Sequence, residues 1–178
     1  LYTVEHNADG TVAAVTACDG AAEKVTKRII TEFENSHFPA NQIVPNTEIV
    51  HDRVNLELFR GCIRGCRFCQ AGQVYRPVRA RSSEKLVRQG IEALKATGYQ
   101  EITLSSLSSS DYKALGELCD GLLDYCVPRS IGLALPSLRA DNFSMDIVQR
   151  VQKVRKSGLT FAPEAGTQRL RDAINKNV

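Results

Sequence analysis

Cys62, Cys66 and Cys69 stand in the run Arg-Gly-Cys-Ile-Arg-Gly-Cys-Arg-Phe-Cys-Gln-Ala-Gly at 60–72, a C-x3-C-x2-C spacing directly after an alternating strand pattern. Three thiolates so close together can wrap one face of a cubic four-iron cluster, and because a cubane has four iron corners, one iron is left without a protein ligand. The run therefore reads as a cluster cradle with an open corner where chemistry can occur. Two other readings stay open. A structural zinc normally takes four tetrahedral ligands, usually as two pairs, whereas the third thiol here has no partner cysteine and the nearest upstream histidine, His51, lies before the strand. A disulfide with a spare thiol suits a secreted chain, yet no stretch resembles a signal peptide.

The spacing, the aromatic Phe68 just before the last cysteine and the position after a first strand together resemble the signature of the radical S-adenosylmethionine (SAM) superfamily. The flanking runs at 48–62 and 70–82 are similar to a bacterial branch of it whose full-length members carry a cobalamin-binding-like domain upstream. The resemblance covers residues from about 40 to the end. It implies a 4Fe-4S cluster on Cys62, Cys66 and Cys69, with SAM chelating the open iron through its amino and carboxylate groups. Reductive cleavage of SAM would then give methionine and a 5′-deoxyadenosyl radical that abstracts hydrogen from a substrate. An electron-donor protein such as flavodoxin or ferredoxin is implied too, and cobalamin would come through an upstream domain outside this chain.

The elements that must position this loop follow from periodicity. Residues 1–18 alternate around Asp9-Gly10, a pair that favours a tight turn, which predicts a β-hairpin. Val25, Ile29 and Phe33 recur every four residues, so 21–35 is expected to be an amphipathic helix. Residues 1–48 read as a connector and 49–178 as the main domain. From residue 52, strands alternate with helices: strands at 54–59, 102–105, 131–135 and 159–162, and helices starting at Ser82 or Ser83, Asp111, Ser144 and about Thr167. In the first helix Val87, Ile91 and Leu94 share a face, and the helix ends at Gly98. The second carries Leu115, Leu118, Cys119, Leu122 and Cys126 on one stripe, and the third Ile147, Val151 and Val154. Successive βα units imply a parallel sheet with right-handed crossovers. The expected fold is α/β, a partial (β/α) barrel of the radical SAM type cut to about four βα units. The sheet edge left open would invite pairing with another copy or a missing segment.

Loops at the carboxyl ends of such strands line one crevice. That places the cysteine loop, the serine run at 105–110, the Pro-Ser-Leu-Arg run at 136–139 and the Pro-Glu-Ala-Gly-Thr run at 163–167 around one pocket. By the resemblance, the backbone at Phe68 meets the adenine, and Ser105, Ser106 and Ser110 receive the methionine amine where the family usually has Gly-Gly-Glu. Ser137 and Arg139 hold the ribose and carboxylate, and Glu164 and Thr167 close the nucleotide site. Plainer roles stand beside these: Ser110 as a helix cap, Arg139 as a solvated surface residue, and Glu164 stabilising the amino end of the last helix. Cys119 and Cys126 read as core packing, while Cys18, His6, His37 and His51 offer no usable spacing.

The chain has 178 residues, 43% of them hydrophobic, and a net charge of +3 from 23 basic and 20 acidic residues. That is enough for a single sizeable core. No apolar run approaches the ~20 residues that span a bilayer, and six cysteines without a leader point to a reducing, cytoplasmic setting. An opening Leu1 and an end just past a helical pattern suggest a piece of a longer protein. Between 60 and 88 lie Arg60, Arg64, Arg67, Arg76, Arg79, Arg81, Lys85 and Arg88 against Glu84 alone. Such a run can compensate a negative cluster, attract an anionic substrate or bind RNA, and the first needs the fewest assumptions. The run at 164–170 is also similar to methylthiotransferases acting on tRNA or a ribosomal protein. The non-enzymatic alternative is an Fe-S or zinc-binding module without turnover.

Overall fold

A computed structural model describes residues 1–142, 144–155, 158–176 and 178. The chain divides into two compact units, Leu1–Thr31 and Glu32–Val178.

The first unit is the expected hairpin. β1 (Tyr2–His6) pairs antiparallel with β2 (Val12–Ala17), Tyr2 facing Ala17 and Val4 facing Val15. Gly10 takes φ 83°, a left-handed conformation that costs glycine little, and Asp9 Oδ1 accepts hydrogen bonds from the Thr11 amide (3.0 Å) and hydroxyl (2.7 Å). The helix expected over 21–35 does not form. Its stripe has nothing to cover it: Val25 is 74% exposed and Ile29 37%. A short amphipathic helix without a packing partner is marginal in water. Phe33 alone is buried, and it belongs to the second unit.

The second unit is built on a parallel sheet of three strands in the order β3, β6, β7. These are β3 (Val54–Glu57), β6 (Glu101–Ser105) and β7 (Gly132–Ala134), with Val54 opposite Ile102 and Ile102 opposite Leu133. Strand alternation sorts the two faces. Val54, Leu56, Ile102, Leu104 and Leu133 are buried against the helices, whereas Asn55, Glu57, Glu101, Thr103 and Ser105 on the other face are half-buried or exposed. The expected fourth strand contributes only a parallel bridge between Leu138 and Phe161.

The loops are trimmed as the caps dictate. α2 (Ser83–Thr97) starts at Ser82, whose Oγ accepts from the Lys85 amide, and stops at left-handed Gly98. Its buried face is Leu86, Gly90, Ala93 and Leu94, rotated from the expected Val87, Ile91 and Leu94. The reason is Gly90: a Cβ there would lie 2.9 Å from Ile102 Cδ1 and 3.0 Å from Leu122 Cδ2, so the helix approaches the sheet on its smallest residues. α3 (Leu115–Cys126) buries the expected Leu115, Leu118, Cys119, Leu122 and Cys126. It begins at Leu115 rather than Asp111, which lies in a 3-10 turn, Ser109–Asp111, with its carboxylate engaged elsewhere. α4 (Met145–Val151) and α5 (Gln168–Ala173) are capped by Ser144 and Thr167. Two short strands, β4 (Phe59–Arg60) and β5 (Arg79–Ala80), pair antiparallel, and between them lies α1 (Ala71–Val74). Among the described residues no helix is long and apolar enough to cross a membrane.

Candidate metal centre

The cysteine loop leaves the carboxyl end of β3 and is closed at its base by the β4–β5 ladder, with Phe59 opposite Ala80 and Arg60 opposite Arg79. Two glycines let its strands of backbone approach closely. A Cβ on Gly61 (φ 101°) would lie 2.4 Å from the Tyr75 carbonyl oxygen, and one on Gly72 would lie 2.3 Å from that of Arg64. Within the loop the Cys69 amide donates to the Cys66 carbonyl (3.0 Å) and the Arg64 amide to Cys62 Sγ (3.4 Å). From outside, the Arg67 amide donates to the Ile174 carbonyl (2.9 Å) and Asn175 Nδ2 to the Gly65 carbonyl (2.8 Å).

All six cysteines are free thiols, so the disulfide reading falls. Cys62 and Cys66 are half-buried and Cys69 is exposed, and among the described residues no three Cys, His, Asp or Glu side chains converge on a metal position. The donor set nonetheless discriminates. Cys119 and Cys126 are buried on α3, where burial pushes their thiols up to about 12 and about 11, and His51 lies against Arg53 Nη2 (3.4 Å). The loop thus offers three thiols with no fourth cysteine on it, a set that fits three corners of a four-iron cluster better than a four-ligand zinc.

The other sequence-derived positions divide into groups. Ser105 and Ser106 line a cavity of about 560 Å³ with Asn55, Glu57, Arg60 and Tyr75, on the polar side of the sheet. Ser110 and Arg139 meet, but through the Arg139 amide donating to Ser110 Oγ (3.1 Å). The Arg139 guanidinium is buried and donates to both oxygens of Asp141 (2.9 and 3.0 Å) and to the Lys176 carbonyl (2.9 Å), so it is not a solvated surface group. Ser137 has φ 59°, and its carbonyl accepts from the Ser109 amide (3.1 Å). Phe68 is 54% exposed under Lys176 Nζ (5.9 Å to the ring centroid), and the same ammonium pairs with Glu164 (3.1 Å). Thr167 caps α5 through the Leu170 amide (3.4 Å). Beside Cys62 a second, mostly apolar cavity of about 540 Å³ is lined by Phe59, Ile63, Val78, Asp111 and Tyr112.

The basic run is not one free surface. Arg60 pairs with Glu57 at 2.8 Å, Arg67 donates to the Ala173 carbonyl, and Arg81 is buried, donating to the Glu57 carbonyl and Ser36 Oγ. Lys85 donates to the Glu34 carbonyl. In the sequence Arg64 is one member of the basic run and Asp111, 47 residues away, a helix start, with nothing to pair them. Burial raises the Asp111 carboxyl, but the bonds and charge of Arg64 outweigh it and hold the group below the usual carboxylate range; those bonds in turn raise Arg64. No local pattern announces a pair at such separation.

The model of the Radical SAM superfamily matches residues 56–178. An uncharacterized protein, MJ0966, of Methanocaldococcus jannaschii is 39% identical over 123 residues, covering 69% of this chain and 26% of that protein. The chain thus spans about a quarter of the length of that relative. A three-thiol loop at the carboxyl edge of a parallel sheet, with the family pattern matched across well over half the sequence, establishes that the chain belongs to the Radical SAM superfamily.

Proposed function

We propose that residues 49–178 form the cluster- and SAM-binding part of a radical SAM enzyme, its sheet a segment of the family's partial barrel. Cys62, Cys66 and Cys69 would hold the 4Fe-4S cluster by three irons, leaving the fourth for SAM. When bound, the cluster would supply the single electron, received from a flavodoxin- or ferredoxin-like donor, that splits SAM into methionine and a 5′-deoxyadenosyl radical, which would abstract hydrogen from the substrate. The chain's own residues supply position and shielding. The β4–β5 ladder and the glycine contacts fix the loop. Ser105 and Ser106, which line the cavity on the polar sheet face, would receive the methionine amine. Ser110, Ser137 and Arg139 act through the backbone and the Asp141 pair, ordering the loops after β6 and β7. Phe68 and Lys176, with Glu164 and Thr167, would cover the nucleotide side. Cobalamin, where used, would come from outside residues 1–178.

The observation that carries this reading is the set of three unpaired thiols on one backbone-locked loop at the carboxyl edge of the sheet. Oxygen-free reconstitution with iron and sulfide is expected to give about four irons per chain. Replacing Cys62, Cys66 and Cys69 with Ala should abolish uptake, and reduced wild-type protein should form 5′-deoxyadenosine from SAM. Iron uptake indifferent to the three replacements would reject the assignment.

A further inference from the structure

Arg64 lies between Cys62 and Cys66, and it is where the loop is tied to the body of the unit. Its Nε donates to Asp111 Oδ2 (3.0 Å) and its Nη2 to Asp111 Oδ1, a fork on one carboxylate, while Nη1 stands 3.6 Å from Asp141 Oδ2. Asp111 follows β6 and its side chain is only 8% exposed; Asp141 follows β7 and is itself held by Arg139. One side chain therefore joins the loops after all three strands of the sheet. The same residue's amide is aimed at Cys62 Sγ and its carbonyl sits against Gly72. Both carboxylates face the guanidinium, so its charge is answered locally.

We propose that Arg64 is a positioning residue: its fork on Asp111, flanked by Asp141, fixes the span between Cys62 and Cys66 before metal arrives, through geometry and not through charge compensation of the cluster. The iron readout below rests on the cluster reading; the exchange readout does not. Groups that orient metal ligands matter nearly as much as the ligands themselves, and their loss costs on the order of 10- to 100-fold in metal affinity.

The test uses the full chain in two forms. Arg64→Lys keeps the charge and loses the fork. Arg64→Gln with Asp111→Asn removes both charges together, so no carboxylate is left buried and unanswered. Hydrogen–deuterium exchange of the iron-free chain is expected to quicken about tenfold over 61–70 in both variants, with β3, β6 and β7 unchanged. Release of iron from reconstituted protein to a chelator is expected to quicken on the order of tenfold in both. Loop exchange within twofold of wild type in both variants overturns the proposal. So does Arg64→Lys matching wild type while the double variant fails, which would make charge the agent, and so does faster exchange across the whole sheet, which would make the pair a determinant of the fold. If the wild type takes up no iron, the functional reading fails and the exchange comparison still decides the role of Arg64.

Discussion

Alanine at Gly72 and alanine at Gly116 are the same chemical change with opposite expected outcomes. Gly72 lies in α1, and its added Cβ would meet the Arg64 carbonyl oxygen at 2.3 Å. Ordinary contact begins at 3.4 Å, so that carbonyl must retreat by about 1.1 Å, the difference of the two. The obstacle is backbone, with no rotamer to relieve it. Overpacking of this kind costs about 1–3 kcal/mol, and the helix-propensity gain of up to about 1 kcal/mol is muted in a helix of one turn. A ligand set tolerates only about 0.5 Å of misplacement. Iron affinity of Gly72→Ala should therefore fall on the order of tenfold, about 1.4 kcal/mol. Its thermal midpoint should fall by roughly 2–12 °C, since each 1 kcal/mol is worth about 2–4 °C in a chain of this size. Gly116, inside α3, has nothing within 4 Å of the added methyl. Gly116→Ala should raise stability by about 0.5–1 kcal/mol and the midpoint by about 1–4 °C, leaving iron uptake unchanged. Iron titration beside calorimetry separates the two, and wild-type iron affinity in Gly72→Ala would refute the claim that close approach of α1 to Arg64 sets the loop.

Ser82→Ala removes the cap of α2 and a hydroxyl that donates to Glu34 Oε1 (2.8 Å), and should lower unfolding stability by roughly 1–2 kcal/mol in urea. Phe33→Ala empties a site 1% exposed, with the Arg60 and Arg81 guanidinium groups 5.0 and 4.3 Å from the ring centroid, and should cost about 3–5 kcal/mol in the same assay. In alkali the fold should weaken. Burial pushes Cys119 and Cys126 up to about 12 and about 11 from the ordinary 9.0, and Tyr112 up to about 12 from 10.0. The folded state thus keeps protons that the unfolded chain gives up, so this stability is intact below about pH 9 and is lost as pH rises through the folded values. Urea midpoints measured across that range should fall, and Cys119→Ala with Cys126→Ala should flatten the decline.

What the sequence made legible was local chemistry. The cysteine spacing, the Asp9-Gly10 turn, the caps at Ser82, Ser144 and Thr167, and the stop at Gly98 each rest on neighbours within a few residues. What it hid depends on distant partners. The stripe of Val25 and Ile29 is a sound helical period, yet no surface covers it. The face of α2 turned because Gly90 admits Ile102 and Leu122, a fit that hydrophobicity alone does not rank. The strand expected at 159–162 is reduced to one bridge at Phe161. Arg64, Asp111 and Asp141 were three ordinary charges until the strands brought their loops together.

Phe33 also governs where this molecule can be cut. Glu34 receives the Ser82 amide and hydroxyl, Ser36 receives Arg81, and the ring fills the gap between two arginines, so residues 33–36 act as a bolt across the start of α2. A protease nicking ahead of residue 32 would leave that bolt closed, whereas one cleaving after 36 would draw it. Grafting the thiol-bearing sheet onto another scaffold would succeed only if this tetrapeptide travelled with it.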